Sequence, residues 1–395
     1  RFGVLPRVRF GVSLDEAEWD PDTSRWLVTT SSGALTCDFL VLGTGPLSVP
    51  AFPDIEGLHS FRGPVIHSAM WDPEIDLAGK RVAVIGTGAS AIQIVPHAQR
   101  LASRLDVFQR TPSWILPHPN RRMSRVERAA FRRFPILQKA LRFGIYAGAE
   151  GASVGLTKWP KLTYAVRLIG RAYLRLQVKD PVKRAKLTPT YLPGCKRLLP
   201  SPDYYRAVDQ PNVRLVTEGI EHIEPDAIVT VDGQRHEVDV IIPATGFRVV
   251  DNPMMDTLRG SDGVSLAKSW AEEGLRAYLG TTVPGFPNLF ILAGPNTGIG
   301  HTSLVVMIEA QVRYMLGCLA EMERRNARAV EVRMEPFEIY NRDLQKRMAH
   351  TVWNTGGCAS WYLDEEGRNT TLWPDFTFRF LQRTRRFDAD AYTFT

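Results

Sequence analysis

Two short groups of residues have the types and spacing to do chemistry. The first is Gly86-Thr87-Gly88-Ala89-Ser90-Ala91. In a GxGxxA turn between a strand and a helix, Gly86 permits the tight turn, Gly88 lets the backbone approach a pyrophosphate, and Ala91 lets the helix pack closely on its strand. Phosphates placed there face the N–H groups at the helix N-terminus. The second group is Gln109-Arg110-Thr111. A carboxylate near this point would accept the ribose hydroxyls of NAD, whereas a cation suits a 2′-phosphate, so the pattern favours NADP. The alternative is a solvated arginine at a strand end.

The elements that must position these groups are legible around them. Val82–Ile85 is an apolar run that reads as a buried parallel strand. The helix predicted to follow covers Ala89–Ser103, with Ile92, Val95, Ala98 and Leu101 at helical spacing and a kink expected at Pro96. Leu105-Asp106-Val107-Phe108 reads as the second strand and ends at Arg110. Two further strands run into glycine turns, Asp38–Gly45 and Asp239–Gly246, the latter through Ala244-Thr245-Gly246. Each is expected to end beside a bound nucleotide, with small residues where the chain crosses between domains. Pro287–Gly294 is a third strand-to-glycine junction.

Elsewhere the signals are coarser. Trp26-Leu27-Val28 and Ala34-Leu35-Thr36 flank a hairpin turn at Ser31-Ser32-Gly33; Val213–Thr217 and Ile228–Val231 read as strands, the latter with a turn at Asp232-Gly233. A long helix is expected over Ser303–Arg325, with Leu304, Met307, Ile308, Gln311, Met315 and Leu319 along one side. The Trp-, Gly- and Asn-rich tail from His350 reads as an ordered loop covering a site.

Composition excludes several classes. A hydrophobic content of 44% and a charged content of 23% suit a globular chain, and 395 residues suffice for two or three domains. No apolar run reaches the length of a membrane span. Cys37, Cys195, Cys318 and Cys358 are scattered without a CxxC pair, so neither a metal site nor a disulfide framework is indicated, and a reducing cytoplasm fits. The net charge of +7 is concentrated: about seventeen Lys and Arg lie between Arg121 and Lys186, against three acidic residues. Residues 112–200 read as helical and basic. No stacking-aromatic or recognition-helix pattern accompanies them, so nucleic acid is not the expected partner. The basic helices are expected to lie against acidic parts of the same protein or against anionic membrane lipid.

Phe61-Arg62-Gly63-Pro64-Val65-Ile66-His67-Ser68-Ala69-Met70-Trp71-Asp72 fits FxGxxxHxxxW followed by Pro or Asp. With the glycine-ended strands, Gly194-Cys195-Lys196-Arg197, Ala244-Thr245-Gly246-Phe247, and Gly294-Pro295-Asn296-Thr297-Gly298 through Glu309-Ala310-Gln311, the chain resembles class B flavoprotein monooxygenases of the Baeyer–Villiger type. The resemblance implies an α/β fold with two dinucleotide-binding domains: a doubly wound NADP domain at about residues 73–245, with a basic helical insertion at about 121–190, inserted into an FAD domain made of residues 1–72 and 246–395. It implies FAD and NADP(H) as cofactors, O2 as co-substrate, and a flavin-borne peroxide anion that attacks a ketone carbonyl to give an ester or lactone.

By the same resemblance Arg197 is the catalytic arginine, His67 belongs to the active-site motif, and Trp353 closes over the nicotinamide. Lys196 holds the 2′-phosphate with Arg110 and Thr111, and Gly294, Pro295 and Asn296 lie on the flavin side. The Trp71-Asp72 ending favours ketones over the N- or S-oxygenation of related flavin monooxygenases; a non-catalytic NADP-binding remnant is the alternative of another class. Members of the family begin with a GxGxxG unit for the FAD pyrophosphate. The present chain begins at Arg1, about where that unit would have ended, and is expected to correspond to a fragment that holds FAD poorly by itself.

Overall fold

The computed structural model describes residues 2–118, 122–271 and 274–395. It is an α/β protein whose chain divides into two compact units, one made of residues 47–248 and 351–360, the other of the remaining segments.

The first of these units is built on a four-stranded parallel sheet in the order Val240–Pro243, Arg81–Ile85, Arg104–Phe108, Val213–Val216. The continuous apolar run at Val82–Ile85 follows from burial on both faces. Val82 and Val84 pack on one side with Val95, Ala98 and Tyr204, whereas Ala83 and Ile85 pack on the other with Phe61, Ile223 and Ile228. The first face carries the helix Ala91–Leu101, unbroken through Pro96, and the second a three-stranded antiparallel sheet over residues 220–237. Asp106 is the buried polar residue of the parallel sheet: it accepts two hydrogen bonds from the Arg214 guanidinium.

The cationic segment leaves the parallel sheet of this unit through Ile115-Leu116 and returns at Leu199-Pro200, and these two short strands pair in parallel. Between them lie the helices Arg125–Arg133, Pro135–Thr157, Thr163–Gln177 and Pro181–Lys186. Ser124 and Glu127 form a reciprocal capping box at the first helix, satisfying two amides that its N-terminus would leave open. Many large apolar side chains of this segment face solvent, among them Phe134, Ile136, Phe143 (70% exposed), Leu168 and Leu176 (79%).

The other unit combines the sheet Leu258–Arg259, Leu14–Asp20, Arg25–Thr30, Gly33–Cys37 with a parallel pair, Leu40–Leu42 and Leu289–Ile291. Trp19 and Trp26 meet edge to face in its core, and the Trp26 indole N–H donates to Pro287 O. The long helix spans Leu304–Arg325, but its buried stripe is Met307, Ala310, Gln311, Tyr314, Cys318 and Met322. The expected stripe is therefore rotated: Leu304 is exposed, and Met315 and Leu319 are only half-buried. Tyr314 and Cys318 carry the inward face because the aromatic cluster of Phe387 and Tyr392 packs against Tyr314.

A second correction concerns the cysteines. Cys195 and Cys358 form a disulfide across 163 residues of sequence, while Cys37 and Cys318 are free thiols. Spacing along the chain could not reveal a pair that only the fold brings together.

Candidate active site

The glycine turn is tight and open on one side. Gly86 has φ +120°, and a Cβ there would sit 2.5 Å from Ala244 O, so only glycine closes this turn. Nothing lies within 4 Å of a Cβ built at Gly88, which leaves the backbone open to approach. Thr87 Oγ1 donates to Thr111 O at 2.8 Å, and Ser113 Oγ donates to Thr87 O at 2.8 Å. The turn and the end of the second strand are thereby fixed to each other, with Ala89 exposed and Ser90 accepting from the Ile94 amide at the start of the helix.

The returning chain brings a second cation to that strand end. The Trp114 indole donates to Tyr191 O, Tyr191 Oη donates to Pro112 O, and the Leu199 amide donates to Trp114 O. This register delivers Lys196 to the neighbourhood of Arg110. Burial, and then the positive charge of Arg110, push the Lys196 pKa below the ordinary lysine value. Two cations held together, one exposed and one half-buried, have the chemistry of a dianion site. Arg197 follows directly and is exposed.

The Cys195–Cys358 bridge ties this linker to the loop 351–360, reinforced by the Leu192 amide donating to Gly356 O at 2.9 Å. The loop carries Trp353, which is 2% exposed. His67 is 1% exposed and packed between Phe52 and Phe247, with its Nδ1 accepting from the Ala69 amide. Burial lowers its pKa, so it stands neutral. Thr245 donates its hydroxyl to Ala51 O, and Gly246 O accepts from the Ala51 amide. His67, Thr245 and Gly246 therefore form one packed cluster.

In the other unit, the ends of Leu40–Leu42 and Leu289–Ile291 open on a slot of about 70 Å³. Thr44, Gly45, Pro46, Ala293, Gly294, Pro295, Thr370 and Thr371 are among its lining. Asn296 stands behind the slot at φ +56°, its amide donating to Asn369 O and Leu372 O. Gln311, fully buried, accepts from the Ala293 amide and donates to Gly280 O and Thr281 Oγ1. The sequence places Gln311 on a helix face and within the family motif Glu309-Ala310-Gln311, without a role at the site. A lone amide on an otherwise apolar buried stripe was the signal available.

Residues 15–140 match the family model described as flavin-binding monooxygenase-like. Over the whole chain, a Baeyer–Villiger monooxygenase of Pseudomonas aeruginosa is 46% identical, with 75% of that relative covered. The chain belongs to the Baeyer–Villiger monooxygenase family. A second Baeyer–Villiger monooxygenase, from Streptomyces coelicolor, is 45% identical over 99% of the chain and 75% of its own length. Among solved structures, a steroid monooxygenase bound to NADP superposes on this monooxygenase with a TM-score of 0.86 at 27% identity, covering 100% of the chain and 82% of that structure. A complex of OTEMO with FAD and NADP gives 0.86 at 28% identity, covering 98% and 81%.

The residues present fit both groups carried by that complex. The open backbone at Gly88 and the paired cations Arg110 and Lys196 suit the phosphates of NADP. The small residues at the strand ends, with Ala293 held by Gln311, let one edge of a flavin approach the backbone, although the slot of about 70 Å³ is smaller than the ring itself.

Proposed function

We infer that this chain is an NADPH- and FAD-dependent monooxygenase that inserts one oxygen atom beside a ketone carbonyl. The balance is ketone, O2, NADPH and a proton giving ester or lactone, NADP+ and water. The observation that carries the reading is the convergence of Arg110, Thr111 and Lys196 at the strand end next to the glycine turn, with Arg197 exposed on the same linker. FAD, when bound, supplies the electron storage and oxygen activation, and NADPH supplies the hydride.

The chain's own residues bind and stabilise. Gly86, Thr87, Gly88, Ala89 and Ser90 receive the pyrophosphate of NADPH, and Arg110, Thr111 and Lys196 read its 2′-phosphate. Arg197 is the catalytic residue. Its permanent charge stabilises the negative charge that develops on the carbonyl oxygen of the substrate as it is attacked. Trp353, on its tethered loop, closes over the nicotinamide. His67 is a positioning residue, because it is buried and neutral and packs with the strand end that carries Thr245 and Gly246. Gly294, Pro295 and Asn296 shape the flavin slot.

The deciding experiment supplies NADPH, O2 and FAD with either a cyclic ketone or a thioether, and measures ester and sulfoxide per NADPH consumed. Ester or lactone supports the reading. Sulfoxide without ester would make the protein a heteroatom oxygenase, and NADPH binding with neither product would make it a remnant.

The partners are a small ketone and O2, with a peripheral membrane contact as a second reading. It rests on the solvent-facing apolar side chains of the helices Pro135–Thr157 and Thr163–Gln177 within a strongly cationic segment. Among the described residues no helix is long and apolar enough to cross a membrane. We place the protein in the cytoplasm, where NADPH is regenerated; thiol exchange there would act on the Cys195–Cys358 bridge.

A further inference from the structure

The helix Thr163–Gln177 turns at Val178-Lys179-Asp180 into the short helix Pro181–Lys186. Between them lies a cavity of about 480 Å³, lined by Arg171, Leu174 and Arg175 from the first helix and by Pro181, Arg184, Ala185 and Thr188 from the second and its exit. The spacing explains the arrangement: 171, 174 and 175 share one helical face, and 181, 184, 185 and 188 share another. The opposite face of the short helix is spent on the fold, with Lys183 donating to the carbonyls of Val208, Gln210 and Val213, and Leu187 in the core.

The charge in this cavity is unbalanced. Three guanidiniums line it and no acidic residue does. Some arginines elsewhere in the unit are paired, as Arg81 is with Asp239 and Glu237 and Arg214 with Asp106. Here, among the described residues, no carboxylate pairs with Arg171, Arg175 or Arg184, and the buried Nε of Arg171 has no acceptor. Asp180, the nearest acid in sequence, is used as the cap of the short helix, accepting from the amides of Val182 and Lys183. A buried N–H without an acceptor and three converging like charges both carry a cost that an anion would remove.

We propose that this cavity is a binding site for a small organic phosphate, a phosphomonoester or diphosphate group carried on a compact apolar body. Guanidinium forks match phosphate oxygens two at a time, which a scattered set of lysines would not do. The volume is that of a ligand pocket and far exceeds a single phosphate ion. Leu174, Pro181 and Ala185 give the apolar body a surface to lie on. The lining shares no residue with the glycine turn or with Arg110, Thr111 and Lys196, although the Gln109 amide, next to Arg110, donates to Lys186 O at the end of the short helix; the proposal does not rest on the oxygenase reading.

The test is calorimetric titration of the full chain with pyrophosphate and with glycerol 3-phosphate, each with and without saturating NADP+. Vesicles of phosphatidylcholine with and without phosphatidic acid form a parallel arm. Arg171→Gln and Arg184→Gln are expected to weaken binding at least tenfold each, whereas Arg128→Gln, which removes the same charge outside the cavity, leaves it unchanged, as does NADP+. Unfolding temperatures without ligand, equal among the variants, confirm that the loss is not one of folding. Binding of the soluble probes identifies a soluble phosphate as the ligand; binding only to phosphatidic acid vesicles, with the same variant pattern, identifies a lipid headgroup. No binding in either arm, an equal loss in Arg128→Gln, or displacement by NADP+ overturns the proposal.

Discussion

Replacing Arg110 and Lys196 one at a time tests whether the paired cations read a 2′-phosphate. A hydrogen bond to a charged group contributes roughly 1.5–3 kcal/mol, and about 1.4 kcal/mol is tenfold in affinity. Arg110 is exposed, so solvent screening puts it at the lower end, and Arg110→Ala should weaken NADP+ by about tenfold. Lys196 is half-buried, which puts Lys196→Ala nearer about a hundredfold. NAD+, which lacks the phosphate, should hardly change in either.

The pH dependence sharpens this test. Lys196 holds a phosphate only as the ammonium, and its pKa is lowered from 10.5 by burial first and by Arg110 second. Affinity for NADP+ should therefore fall as the pH rises through that lowered value, while NAD+ stays flat. Arg110→Ala removes one of the two causes, so the fall should move to higher pH. The sign for stability is opposite: between the lowered value and 10.5 the unfolded chain holds the proton more tightly, so the contribution of Lys196 to stability rises with pH. Calorimetric titrations with the oxidised nucleotides, from neutral to alkaline pH, measure these quantities without turnover. Equal losses for NADP+ and NAD+, or pH profiles that coincide, would refute the reasoning and make these cations part of the fold.

Four further predictions follow from named contacts. Arg197→Ala should consume NADPH and release hydrogen peroxide with little ester, and Arg197→Lys should recover little because a point charge lacks the planar fork; an unchanged ratio of ester to NADPH removes the catalytic role. Gly86→Ala should lower stability by about 2–3 kcal/mol in denaturant titrations, since φ is +120° and the new Cβ meets Ala244 O; a neutral effect would mean the turn relaxes. Gln311→Leu should cost about 3 kcal/mol or more by the same measurement, because the Ala293 amide and Gly280 O lose their partner while buried. Cys358→Ser should lower the unfolding temperature to that of the reduced parent, a loss of about 2–4 kcal/mol from opening a long loop; a parent insensitive to reductant would contradict it.

The sequence by itself determined the parts whose signals are local. Val82–Ile85 was legible because a strand buried on both faces needs an unbroken apolar run, and the glycine turn because a close backbone approach needs residues without side chains. The two glycine-ended strands and the hairpins were readable for the same reason: each is a constraint on neighbours in the chain. The tertiary structure alone decided which distant residues meet. Lys196 reaches Arg110 only because Ile115-Leu116 pairs with Leu199-Pro200, and Cys195 meets Cys358 only because the linker and the loop pack together. The buried side of the Leu304–Arg325 helix was set by the aromatic cluster it faces, which a periodicity of apolar residues does not specify. The three unpaired arginines illustrate the same division. Their helical spacing lies in the sequence, but their convergence without a carboxylate depends on how two helices fold against each other.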